Sequence, residues 1–168
     1  GNPIYDWKAM DKDGYSWWIK RLRESFKIYD VVRIDHFRGF ESYWEIPASS
    51  DTAAPGKWVK GPDYALFKAV KEELGDLNII AEDLGIMTDE VIALREKTGF
   101  PGMKVTQFAF NPDSESIDSP HLAPNNSVMY TGTHDNNTVL GWYRDEIDDA
   151  TREYMAQYTN RKEYETVP

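Results

Sequence analysis

Short runs of β-branched and apolar residues alternate along this chain with stretches of helical period, and that alternation restricts the fold more than any other feature. Residues 29–35 read Tyr-Asp-Val-Val-Arg-Ile-Asp and residues 78–81 form a brief apolar run, both predicted as strands. Residues 105–110 and 127–131 read as a third and a fourth strand. Residues 16–26 place Trp18, Leu22 and Phe26 at i, i+4 and i+8, one apolar helix face. Asp63 is expected to cap a helix carrying Phe67, Val70 and Leu74, with Gly75 at its far end. Thr88 is expected to cap another, with Asp89 and Glu90 in its positive first turn and Gly99 and Pro101 ending it. Residues 147–158 form a polar amphipathic helix, while residues 47–62 and 111–126 are expected to be loops.

Strands alternating with helices imply an α/β fold of βαβ units on a parallel sheet. Two architectures answer to that description, an open doubly wound sheet and a barrel. A nucleotide-binding open sheet would show a glycine-rich turn after a strand, and neither GxGxxG nor a P-loop occurs here. The barrel is favoured.

Charge and composition exclude several kinds of chemistry. The 168 residues carry 29 acidic and 19 basic side chains, a net charge of −10, which argues against a nucleic-acid partner held by a basic face. Without cysteine there is no disulfide framework, thiol nucleophile or Cys-ligated zinc. No apolar run approaches the roughly 18 residues of a membrane span, so no membrane partner is expected.

Three carboxylates stand just past predicted strands: Asp35, Glu82 and Asp135. In a barrel the C-terminal ends of all strands meet at one face, which would gather acids far apart in sequence. Arg33 lies two positions before Asp35 on the same strand, so both side chains share a face and the guanidinium would favour an ionised, nucleophilic Asp35. Ile79 and Ile80 precede Glu82, an apolar setting suited to a protonated general acid. The bland alternative is a structural Arg33–Asp35 pair and a helix-proximal Glu82. His36 and His134 adjoin two of the acids and are candidates for hydrogen bonds to substrate hydroxyls or to a carboxylate. A metal site is a further option, but neither HExxH nor EF-hand spacing occurs, and no metal or other cofactor is expected. Tyr43, Trp44 and Trp58 are weak candidates for stacking on sugar rings, whereas Trp18 reads as packing.

The blocks Arg-Ile-Asp-His-Phe-Arg-Gly (33–39), Ala-Glu-Asp-Leu-Gly (81–85) and Gly-Thr-His-Asp-Asn (132–136) closely resemble 4-alpha-glucanotransferase, the amylomaltase or disproportionating enzyme of glycoside hydrolase family 77. Gly-Asn-Pro-Ile-Tyr-Asp-Trp (1–7) and Phe-Pro-Gly-Met-Lys-Val (100–105) fit the same family, so the resemblance runs through essentially the whole chain. It implies a retaining transglycosylase on a TIM (β/α)8 barrel, acting on α-1,4-glucans and malto-oligosaccharides with glucose as an acceptor, in the cytoplasm. By matching motifs, Asp35 would be the nucleophile, Glu82 the acid and then base, and Asp135 a stabiliser of the reacting ring. Arg33, His36 and His134 would form the supporting polar shell.

A complete barrel is typically about 250 residues, so residues 1–168 are expected to be a fragment of a single catalytic barrel domain. The four strands would correspond to the family's fourth to seventh. The start at Gly1, without a methionine, fits a piece of a longer chain and leaves any leader open. Three other readings are kept beside this one. An α-amylase-type hydrolase would share the chemistry, but that clan usually carries Asn-His-Asp where this chain reads His-Asp-Asn. A glucan-binding fragment would be inactive because its barrel is incomplete. A metal-dependent hydrolase would fail in chelator.

Overall fold

Apolar residues spaced for one helix face and for one strand face meet in the first of two units into which the chain divides, residues 1–102 and 103–168. The computed structural model describes residues 2–161. The first unit runs α1 (Trp7–Lys12), α2 (Ser16–Ser25), β1 (Val32–Ile34), β2 (Ser42–Glu45), β3 (Lys57–Lys60), α3 (Asp63–Leu74), β4 (Ile79–Ala81) and α4 (Asp89–Thr98). Strands β1 and β4 pair in parallel, with Val32 opposite Ile79, Arg33 opposite Ile80 and Ile34 opposite Ala81. Side chains alternate along a strand, so Ile34, Ile79 and Ala81 leave by one face. There they share a core with Trp18 and Leu22 of α2, Leu66, Phe67 and Val70 of α3, and Val91 and Leu94 of α4. Arg33 and Ile80 leave by the other face.

A 3-10 turn, Phe37–Phe40, follows β1 and drives two aromatic rings into this core. Phe37 is fully buried, its ring centroid 5.4 Å from Phe67, 6.0 Å from Phe40 and 6.4 Å from Phe100. These rings anchor the turn directly beyond β1.

Several expectations hold and several are corrected. The helices expected at 16–26, 88–99 and 147–158 form, the last as α6 (Asp149–Thr159). Thr88 is the extended residue before α4 and Gly99 its left-handed end, φ 76°. Asp63 is not the cap: it is the first residue of α3, with φ 53°, and its Oδ1 accepts the next N–H, of Tyr64, at 2.6 Å. The expected loop 47–62 contains β3, which pairs antiparallel with β2 to make a hairpin. Cross-strand contacts support it, Trp44 against Trp58 edge to face at 5.5 Å and Lys57 to Glu45 at 3.5 Å. Lys-Trp-Val-Lys at 57–60 does not alternate polar with apolar residues, and glycine and proline flank it, so its sequence carries no strand signal of its own. The strand expected at 29–35 is shorter, Val32–Ile34. The strand expected at 105–110 lies earlier, as β5 (Gly102–Val105), and a 3-10 turn follows at Thr106–Phe108. The Thr106 carbonyl closes that turn by accepting the Ala109 N–H at 3.0 Å. The four expected strands pair two by two, β1 with β4 and β5 with β6 (Ser127–Tyr130), and the hairpin adds two more.

Within the second unit, residues 111–126 form turns, as expected for a loop. Val105 N–H donates to the Asp118 carboxylate at 3.2 Å, which ties that loop to β5. After β6, helix α5 (Val139–Gly141) widens into a π turn, Trp142–Glu146, and α6 follows. Phe110 packs its ring against Trp142, Tyr154 and Tyr158. No helix among the described residues is long and apolar enough to cross a membrane.

Two measurements test this account. Phe37→Ala removes a fully buried ring, and urea unfolding should show a loss of about 3–5 kcal/mol. Glu41 is a buried carboxylate that accepts hydrogen bonds from Lys60 and from Ser42. Burial pushes the Glu41 carboxyl up, and the bonds from Lys60 and Ser42 outweigh it, so the group lies below its ordinary value. Its stabilisation is therefore present above the unfolded pKa, about 4.3, and disappears as pH falls through the lower folded value. Glu41→Gln should cost about 1–3 kcal/mol at pH 7. The difference from the unmodified chain should shrink in acid, read as converging urea midpoints.

Candidate active site

The parallel register of β1 and β4 carries on beyond the strands themselves. Glu82 N–H donates to the Ile34 carbonyl and Phe37 N–H to the Glu82 carbonyl, both at 2.9 Å. Asp35 and Glu82, each one residue past the paired Ile34 and Ala81, thus occupy corresponding positions at the ends of neighbouring strands. By alternation both stand on the face of Arg33 and Ile80, away from the core.

Three contacts define this place. Arg33 Nη2 lies 3.3 Å from Asp35 Oδ1, as the spacing of the two residues implied. The Asp35 side chain is 78% exposed, so the pairing leaves its carboxylate open to an incoming molecule, and the Arg33 side chain is more sheltered. Glu82 reaches across to the peptide that follows Asp35: its Oε2 accepts the His36 N–H at 2.6 Å. Its other oxygen, Oε1, accepts the Leu84 N–H at 3.0 Å.

Glu82 therefore meets backbone donors, and the apolar setting expected for it needs correcting. Ile79 is buried in the core behind it, and Ile80 shares its face, yet neither takes the place of a donor at its oxygens. A carboxyl group offers about four lone-pair directions, so the two backbone N–H groups leave the others open.

His36 contributes through its main chain. It adopts the left-handed conformation, φ 47° and ψ 54°, which turns the chain sharply from β1 into the 3-10 turn and aims its N–H at Glu82. Its imidazole is exposed and packs beside Gly39. The donors from His36, Phe37 and Leu84 went unnoticed in the sequence, because a backbone amide has no residue-type signature. The one available signal was the short interval from each strand to a residue that must turn.

Asp135 and His134 belong to the second unit, at the tip of a tight turn after β6. Thr133 N–H and hydroxyl both donate to Asn136 Oδ1, at 2.8 and 3.0 Å, and Asp135 N–H donates to Thr133 Oγ1 at 3.2 Å. The turn leaves both side chains exposed, with His134 Nε2 3.5 Å from Asp135 Oδ1. Tyr43 is partly buried, while Trp44 and Trp58 are exposed on the hairpin, with the Arg38 guanidinium 4.5 Å from the Trp58 ring centre.

The family model described as 4-alpha-glucanotransferase, glycoside hydrolase family 77, matches residues 1–168. A 4-alpha-glucanotransferase of Streptococcus pneumoniae is 88% identical over 167 residues, 99% of this chain and 33% of the relative. That of Thermus thermophilus is 51% identical over 160 residues, 94% of this chain and 32% of the relative. Among solved structures, amylomaltase from Streptococcus agalactiae in complex with acarbose superposes with a TM-score of 0.91 at 42% identity. It is covered over 34% of its length and this chain over 100%. The chain thus spans about a third of the length of these relatives. Its α/β fold is that of the corresponding amylomaltase segment, and the chain belongs to the 4-alpha-glucanotransferase family, glycoside hydrolase family 77.

Proposed function

We propose that this chain is the catalytic segment of a 4-alpha-glucanotransferase that moves α-1,4-glucan segments to an acceptor sugar through a covalent intermediate. The observation that carries the reading is the register of Asp35 and Glu82 on paired parallel strands. Neighbouring strands lie about 4.8 Å apart. Two carboxylates at equivalent positions on one face therefore suit the separation of about 5–5.5 Å used by retaining glycosidases, and fall short of the about 6.5–9.5 Å that inverting enzymes need for a water.

Asp35 attacks the anomeric carbon as the glycosidic C–O bond breaks, and Glu82 gives its proton to the departing oxygen. Arg33 Nη2, 3.3 Å from Asp35 Oδ1, sets a cation beside the attacking carboxylate. In the second half the acceptor hydroxyl returns a proton to Glu82 as its oxygen bonds the anomeric carbon, and Asp35 departs. Two inversions leave the α configuration. Asp135, with His134 beside it, hydrogen-bonds the hydroxyls of the reacting ring, and His36 completes the polar shell. Transfer, as opposed to hydrolysis, requires that a bound sugar hydroxyl outcompete water.

In this reading β1 and β4 are neighbouring staves of a (β/α)8 barrel, with Arg33, Ile80, Asp35 and Glu82 on its inner side. The four strands expected from the sequence would be its fourth to seventh, in a single catalytic domain. Malto-oligosaccharides are the donors, glucose an acceptor and the cytoplasm the site of action. The acarbose bound to the S. agalactiae amylomaltase supports a sugar-like ligand here. The family match weighs against an α-amylase-type hydrolase and against a non-catalytic role for the parent enzyme.

Incubation of the full-length enzyme with maltotriose should yield glucose together with oligosaccharides longer than the substrate. Glucose and maltose alone would mean hydrolysis and overturn the transferase reading. Asp35→Asn should abolish turnover, a loss of at least roughly a thousandfold, while the circular dichroism spectrum stays unchanged.

A further inference from the structure

Asp83 and Arg95 form an ion pair that the chemistry above does not use. Asp83 directly follows Glu82, and alternation turns its side chain toward the helices. It is buried, with its Oδ2 3.4 Å from Nε of Arg95 in α4, whose side chain is only 14% exposed. This chain's own residues supply that burial. The close fit extends to Gly102, where an added Cβ would lie 2.6 Å from Arg95 Nη1 and 2.8 Å from Asp83 Cγ.

The pair sits inside the segment that orients Glu82. Asp83 lies between Glu82 and Leu84, and Leu84 N–H holds Glu82 Oε1. Anchoring Asp83 to α4 therefore fixes both the Cα that carries the acid and the peptide that aims a donor at it. A solvated charge pair would not define this geometry; a buried one has few alternative arrangements, because separating its members leaves an uncompensated charge. We propose that Asp83 and Arg95, packed against Gly102, are positioning residues that set the proton-donating carboxyl of Glu82. The inference rests on the reading of Glu82 as the acid.

Two donors separate the possibilities in the full-length enzyme. Maltotriose needs a proton on its leaving sugar, whereas α-glucosyl fluoride releases fluoride without one, and azide accepts the glucosyl group without losing a proton. Asp83→Asn and Arg95→Lys should lower kcat on maltotriose roughly ten- to hundredfold with KM within about twofold, because a small displacement of a reacting group is that costly. Fluoride release in azide should stay within about threefold of the unmodified enzyme. The ratio of the two rates is unaffected by any unfolded fraction, which lowers both alike. Glu82→Gln should show the same divergence more strongly. Equal losses on both donors in Asp83→Asn and Arg95→Lys, or no loss, would overturn the positioning role if Glu82→Gln diverges. Equal losses in Glu82→Gln would overturn the acid assignment and this inference with it.

Discussion

The parallel pairing of β1 with β4 is the constraint on which the rest depends. It aligns Ile34 with Ala81, so that one face of both strands closes the core over α2, α3 and α4. The same alignment brings Asp35 and Glu82 to matching positions on the opposite face. A slip by one residue would exchange the two faces, burying charge and exposing the apolar set. Burial of Ile34, Ile79 and Ala81 thus secures the placement of the acids, although none of the three touches the chemistry.

Bonds from the main chain then refine that placement. Glu82 is held at its amide, its carbonyl and both carboxylate oxygens, and two of these four bonds lead to the turn after β1. That turn is in turn pinned by Phe37 and Phe40 in the core. Asp35 is treated differently, with one charged neighbour and an open face toward solvent. On the proposed assignment this difference fits the two roles: an acid that must deliver a proton along a defined direction benefits from such restraint, while a nucleophile needs access.

Much of this was legible in the sequence because it rests on local pattern. Arg33 and Asp35 two apart on a β-branched run gave their shared face, and the apolar spacing of α2 gave its buried residues Trp18 and Leu22. What escaped was determined by contacts between distant residues. The β2–β3 hairpin depends on Trp44 meeting Trp58 across strands, which no single window contains. The strand expected at 105–110 stops early because a 3-10 turn closes at Thr106, against the β propensity of the residues that follow. The supposed apolar wall of Glu82 failed for a related reason: Ile79 points into the core on the other side, and the atoms that reach the Glu82 oxygens are the backbone N–H groups of His36, from the turn after β1, and of Leu84.

Since backbone amides are the donors that meet the Glu82 carboxylate, the scaffold supplies its half of those bonds whichever side chain stands at that position. Main-chain donors survive any substitution short of proline. An exchange at Glu82 that spares the backbone therefore keeps the His36 and Leu84 N–H groups in place and removes only the oxygens that accept from them, which separates the donors from the group they serve.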